Sequence, residues 1–358
     1  MKSLFRKDLL ASLEPEHVYF FGSEEYFSHQ RPITIDERLP IRIKTALNPH
    51  ILERPFVCEV SDAKLLGREA IGYTAKNELI YETLVYRKQP PLLPIDNLLP
   101  PQVELGTAVS LIAWGVMNAS YYHWVTERLM LLEGVEHYSK LTKRKPLLIV
   151  PSHLMPWHVE SLKVMGYELK DCVEWKFTRA RVKRLVIPSV RRYSEQKDLT
   201  HHCISPSACK WFRHKILSNL PAESEAENYS RRIFVSRRKA PARRILNEAK
   251  LMELLRPMGF VSYMLEDMSF TQQARLFSSA EIVIAPHGAG LTNILFSNNI
   301  SIVELFPKDY DSPSYFCISR IFGFNYGLLI CKIRDKKYYD NIVDLDGFIQ
   351  LLKKMKLY

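Results

Sequence analysis

Short, wholly apolar runs alternate with longer amphipathic stretches through the last third of the chain, and this rhythm predicts a parallel α/β unit. Ile233-Phe234-Val235 reads as a buried strand, 245–255 as a helix closing near Gly259, and 260–265 as the next strand. Ser269 and Gln272 stand at capping-box spacing ahead of a further helix. Ile282-Val283-Ile284-Ala285 is a third strand, ending at Pro286-His287-Gly288-Ala289-Gly290; a helix from about Leu291 and a fourth strand over 300–306 follow. A doubly wound sheet of this kind takes its ligand outside the carboxyl ends of its strands.

The pattern extends upstream. Strands are predicted over 108–113, 146–150 and 181–188, and helices over 121–139 and 157–165. Short alternating runs between 56 and 87, separated by turn formers, imply a β-meander. Five prolines between 89 and 101 make a connector. From 191 to 230 the chain is polar, with one helix expected near 207–217 and a solvated loop over 220–227. Residues 1–55 give no reading. A chain of 358 residues is expected to form two domains, here 1–205, carrying the meander, and 206–358. Both are expected to be Rossmann-like and to face each other across a cleft, with the helix around Asp346–Met355 crossing back to the N-terminal domain.

Composition narrows the partners. The chain is 47% hydrophobic and 25% charged, enough to bury two cores without staples. Its six cysteines (Cys58, Cys172, Cys203, Cys209, Cys317, Cys331) are scattered with no Cys-x-x-Cys pair, which implies free thiols. No apolar run reaches the length of a membrane span, and Met1 to Phe20 lack a continuous signal core. A cytoplasmic protein is expected, in which the sequons at Asn118 and Asn228 carry no meaning. The net charge of +11, clustered at 143–145, 179–184 and 231–244, favours phosphorylated small molecules or peripheral contact with an anionic membrane face. Nucleic acid is not expected, because no recognition module accompanies the charge.

The chemistry concentrates at the strand ends. In His287-Gly288-Ala289-Gly290-Leu291-Thr292-Asn293 a buried strand opens through small residues into a helix, so a ligand can approach the backbone and phosphate oxygens can meet free N–H groups. A packing turn is the plainer alternative. A dinucleotide fingerprint needs a third glycine where Asn293 stands. Ser236-Arg237-Arg238 leaves a strand, and Arg243-Arg244 and Asn247-Glu248 follow at the next helix. Arginines there can hold a diphosphate bidentately and offset the charge of a departing nucleotide without a metal; a solvated basic face is the alternative. Arg237 and Arg243 are the favoured pair. Glu304, an acid inside an apolar strand, needs a partner such as a ribose diol or an arginine, unless it faces water on an edge strand. Farther upstream, Ser120 is placed as an N-cap with His123 in the first helical turn, where the helix terminus favours the neutral ring. Glu127, four residues on, can orient it.

Together these motifs, from Arg232 to Pro307, closely resemble glycosyltransferase family 61. That group includes plant xylosyl- and arabinosyltransferases, animal O-linked N-acetylglucosaminyltransferases and bacterial polysaccharide enzymes. The likeness continues more weakly back to Tyr122-His123-Trp124. It implies a GT-B architecture, an inverting mechanism and a UDP-sugar donor on the C-terminal domain, in a bacterial-type member without a membrane anchor. The donor would lie across Arg237, Arg243, Asn247, the loop His287–Asn293 and Glu304, the acceptor would be a glycan or lipid-linked glycan, and His123 with Glu127 would supply the base. Asp309, Asp311 and His287 are alternatives for the base, and a structural role is the plainer reading of His123. No cofactor is expected. Two metal readings stand against this. Asp309-Tyr310-Asp311 has Asp-x-Asp spacing, although Ser312-Pro313 makes these aspartates neighbours of a helix start. His201, His202, Cys203, Cys209 and His214 offer zinc-type ligands at irregular spacing. The rival functions are a nicotinamide-dependent oxidoreductase and a non-enzymatic binder of anionic polymers.

Overall fold

The computed structural model describes residues 3–84, 99–113, 115–192, 203–222 and 228–358. It is a mixed α/β protein that separates into two compact units, one comprising 1–25 and 51–193, the other 26–50 and 194–358. The chain thus divides at 193–194 rather than near 205, and residues 26–50 pack with the C-terminal half. His201, His202 and most of the proline connector lie outside the described residues.

In the first unit the strands Phe56–Leu66, Ile71–Tyr73 and Leu79–Ile80 form the antiparallel meander. It is no separate appendage. Phe56–Leu66 pairs antiparallel with Arg179–Pro188, which runs parallel to Val103–Ser110, itself parallel to Leu147–Pro151 and then Cys172–Trp175. The result is one nine-stranded sheet, half antiparallel and half parallel. The helical stretch after Ser120 is not a uniform α-helix: Tyr121–His123 passes into a π-helical segment, Trp124–Arg128, before α-helix resumes over Leu132–Thr142.

The second unit holds the site. Its five parallel strands are Arg232–Val235, Val261–Tyr263, Ile282–Pro286, Ser301–Pro307 and Asn325–Asp335; numbered in chain order, they lie 2-1-3-4-5 across the sheet. Asp340–Ile342 adds antiparallel, and Ile33–Thr34 pairs parallel with the start of the fifth strand. Side chains alternate between faces as a pleated strand requires. Phe234, Ile284, Val303, Leu305 and Leu329 share a core with helices Glu248–Leu255 and Leu345–Lys354. The C-terminal helix therefore packs Phe348, Leu351 and Leu352 on its own unit's sheet instead of crossing back. Ser269 and Gln272 form the capping box that starts the helix Phe270–Ser279. The strands Asn325–Asp335 and Asp340–Ile342 were not anticipated from the sequence.

Candidate active site

In a 2-1-3-4-5 sheet the strand order reverses between the first and third strands, and a crevice opens at their carboxyl ends. Here those ends are Val235 and Pro286, so Ser236-Arg237 and His287-Gly288 leave the sheet side by side. Arg237 donates from Nε and Nη2 to the Ala242 carbonyl at 3.3 and 3.0 Å and lies against Gly288, where any Cβ would overlap its guanidinium. The space that Gly288 leaves is thus filled by Arg237, not left open for a ligand. Gly290 likewise makes room for Leu265, whose Cδ1 a Cβ would meet at 2.7 Å.

Arg243 adopts a left-handed backbone (φ 59°), which turns it back beside the strand end. Its Nη1 donates to Tyr310 Oη at 3.1 Å and its guanidinium sits 5.4 Å from that ring. Among the described residues neither Arg237 nor Arg243 has a carboxylate within ion-pair reach. Burial first, and then Arg243, pull the Arg237 guanidinium below its usual value, and Tyr315, Glu266 and Tyr310 offset this only in part. Arg238 and Arg244, by contrast, pair with Glu248 (3.1 Å) and Asp340 (2.5 Å). A groove of about 440 Å³ beside them is lined by those arginines, Glu248, Met252, Arg256 and Ser262. Arg256 in that groove is exposed to water, whereas Arg237 and Arg243 are part-buried.

His287 is 4% exposed and bonds through Nδ1 to Glu304, whose other oxygen accepts from Tyr326 Oη. Glu304 lies on a central strand and is 1% exposed, so the edge-strand alternative fails; its partners are a histidine and a tyrosine rather than an arginine or a ribose. Burial pulls the His287 imidazole down, Glu304 opposes this, and Arg243 and Arg237 reinforce it. The rings of Tyr310 and Tyr315 stand 4.8 and 4.9 Å from it. Neither tyrosine was singled out from the sequence. In Asp309-Tyr310-Asp311 it is the middle residue that faces the arginines. Asp309 occupies a left-handed turn, and Asp311 accepts from the Arg42 amide at 2.8 Å. The helix that follows begins at Ser314, with Pro313 as its cap.

Two further donor-site candidates have other partners. Asn247 makes a two-way bond with the Val343 backbone, donating at 2.8 Å and accepting at 2.9 Å. Asn293 is fully buried and donates to Gln273 Oε1 at 2.8 Å, and Leu291 is buried with it. Thr292 is buried as well, so of the loop only Ala289 and Gly290 are part-exposed. The helix there, Ala289–Phe296, is 3-10 rather than α.

In the first unit His123 Nδ1 lies 2.5 Å from Glu127 Oε1, and Arg192 donates to the same oxygen. Glu127 is 3% exposed. Burial alone would raise its carboxyl, but Arg192 and then His123 bring it below the usual range. Ser120 precedes the helix without a side-chain cap.

A 2-1-3-4-5 parallel sheet with Arg237, Arg243 and His287 at its switch point is thus joined in this chain to a second α/β unit. The family model for glycosyltransferase 61 matches residues 121–303, just over half of the chain, and the protein belongs to that family of glycosyltransferases. The match takes in His123, Glu127, Arg237, Arg243 and the His287 loop. Similar proteins include the EGF domain-specific O-linked N-acetylglucosamine transferase of Gallus gallus, 26% identical over 130 residues, 35% of this chain and 24% of that one. The Mus musculus enzyme of the same name is 27% identical over 131 residues, covering 35% and 25%. Protein O-linked-mannose beta-1,4-N-acetylglucosaminyltransferase 2 of Bos taurus is 31% identical over 116 residues, covering 31% and 20%. The matched stretch thus spans a quarter or less of each relative.

Proposed function

We propose that the chain moves a sugar from a UDP-sugar to a hydroxyl of a glycan or lipid-linked glycan, with inversion at the anomeric carbon. The observation that carries this reading is the pair Arg237 and Arg243, two guanidinium groups without carboxylate partners at the switch point of a nucleotide-type sheet. A diphosphate matches their charge and fork geometry. On this reading the two units act as the halves of a GT-B enzyme. The second holds the donor and the first brings the acceptor to His123, oriented by Glu127 as general base. The arginines take the place of a cation as the nucleoside diphosphate departs, so turnover is expected to survive chelation by EDTA. Relatives named as N-acetylglucosaminyltransferases make UDP-N-acetylglucosamine the first donor to try. The net charge of +11 suits an acceptor carried at an anionic membrane face. The nicotinamide alternative loses its remaining support, because Asn293 is committed to Gln273 where a third glycine would be needed.

The test is a thermal-shift and calorimetric screen of the whole chain against UDP, UDP-N-acetylglucosamine, UMP and NADH. UDP and the UDP-sugar should raise the melting point, and UMP much less, since a ligand selective for the folded state stabilises it. A response to NADH with none to any nucleoside diphosphate would sink the reading.

A further inference from the structure

We propose that His287 is the proton-binding member of the diphosphate site: it takes up a proton at Nε2 when the diphosphate arrives, and Glu304 and Tyr326 position and support the imidazolium. This rests on Arg237 and Arg243 being that site.

Glu304 fixes the tautomer. With Nδ1 committed to the carboxylate, the lone pair of the neutral ring lies on Nε2, which has no protein hydrogen bond among the described residues. The groups facing the ring come from five elements. Glu304 and Phe306 lie on its neighbouring strand, Tyr310 follows that strand, and Tyr315 lies on the next helix. Arg237 and Arg243 come from the first strand's end, and Tyr326 reaches the ring through Glu304. In the free protein two cations and burial oppose protonation, one carboxylate favours it, and the neutral ring wins. A diphosphate changes the sign of that field. It neutralises both guanidinium groups and offers oxygens to Nε2–H, so the charges left facing the ring are anionic.

The charge count favours the departing nucleotide over the intact donor. In a nucleotide-sugar each phosphate carries one negative charge, which the two arginines match. Once the sugar has left, the terminal phosphate carries about −1.5 to −2, its second ionisation lying at about 6. The imidazolium is the third cation, and it is supplied only when needed.

The experiment is isothermal titration of the whole chain with UDP and with UDP-N-acetylglucosamine. It is run in buffers of differing ionisation enthalpy and across roughly pH 6 to 8.5, the span around the usual histidine value, for wild type, His287→Asn, Glu304→Gln and Arg237→Ala. Asparagine keeps a donor towards Glu304, so His287→Asn retains the buried bond. Wild type should show buffer-dependent heat of proton uptake, larger for UDP than for the UDP-sugar. The ratio of wild-type to His287→Asn affinity for UDP should rise as pH falls, by about three- to tenfold per unit between the free and bound values. UDP itself loses charge as pH falls, but it does so equally with both proteins, so the ratio removes that effect. Glu304→Gln keeps the shape and should reduce the uptake. Uptake unchanged in that variant removes Glu304 from the role. UDP binding with no buffer-dependent heat and a constant ratio overturns the proposal while leaving the diphosphate site standing. Binding that is absent, or indifferent to Arg237→Ala, removes both.

Discussion

Two part-buried guanidinium groups with no carboxylate cost stability in the free protein, and such a cost is retained where a ligand offsets it. Arg237→Ala or Arg243→Ala should therefore weaken UDP binding by about 1.5–3 kcal/mol, the scale of a hydrogen bond to a charged group, while leaving the melting point of the free protein unchanged or raised. Calorimetry showing wild-type affinity in both variants would remove them from the site. Arg237 was legible because strand-end position is legible: an apolar run stops at Val235 and an arginine follows within two residues. Glu304 was legible as a buried acid, but its partner was not, since His287 lies 17 residues away and only the sheet register brings them together. Asn247 misled for the same reason: its partner, Val343, is 96 positions distant. Tyr310, Tyr315 and Tyr326 gave no signal at all, because tyrosines are as often core as site and no spacing singles these out.

At the scale of elements, the glycine turn after Pro286 serves a side chain rather than a ligand. Gly288→Ala should drive Arg237 from its position, costing about 1–3 kcal/mol of stability as an overpacked site and lowering UDP affinity towards that of Arg237→Ala. In an Arg237→Ala background the same substitution should cost little, since the colliding group is gone; additive losses in that double-mutant cycle would disprove the steric account. The π-helical segment Trp124–Arg128 is the other element where local structure departs from the regular pattern, and such segments recur at functional sites. It holds His123 against Glu127. His123→Ala should keep UDP affinity and the fold but lower turnover by roughly 10²–10⁴, the usual worth of a general base. Full turnover with saturating acceptor would leave His123 structural. The apolar rhythm announced helix here and could not announce the wider turn, because one extra residue in a hydrogen-bonded loop leaves the hydrophobic pattern almost unchanged. The strand Asn325–Asp335 was available in the apolar run Leu328-Leu329-Ile330-Cys331, behind the turn at Gly323 that follows the helix Ser314–Ile321.

At the scale of the molecule, what the sequence could not disclose is that residues 26–50 belong with the second half. Their ties are hundreds of positions long: Asp36 accepts from the Ile330 amide at 3.0 Å, and Lys354 donates to the Thr34 carbonyl at 2.8 Å. The segment also brings His29 and His50 into the second unit, with ring centroids 5.7 Å apart and Phe27 and Phe316 around His29. His29 is 7% exposed, and its Nε2 has no hydrogen-bond partner among the described residues. Burial, then His50, then Arg320 pull its imidazole down to about 4 from the ordinary 6.5. Below 6.5 the unfolded chain binds a proton that the folded chain refuses until about 4, so the stability is whole above 6.5 and is lost as pH falls through that window. For His29 alone the loss at about pH 5 should be about 2 kcal/mol. His158 in the first unit, pulled down to about 4 by burial, adds a similar sensitivity, so the total alone cannot assign the effect. Comparison with His29→Leu can. Urea unfolding near neutrality and near pH 5 should show the variant losing about 2 kcal/mol less than wild type on acidification. Equal losses in the two proteins would mean that His29 takes its proton without opposing the fold, and that residues 26–50 are held by their backbone and carboxylate ties alone.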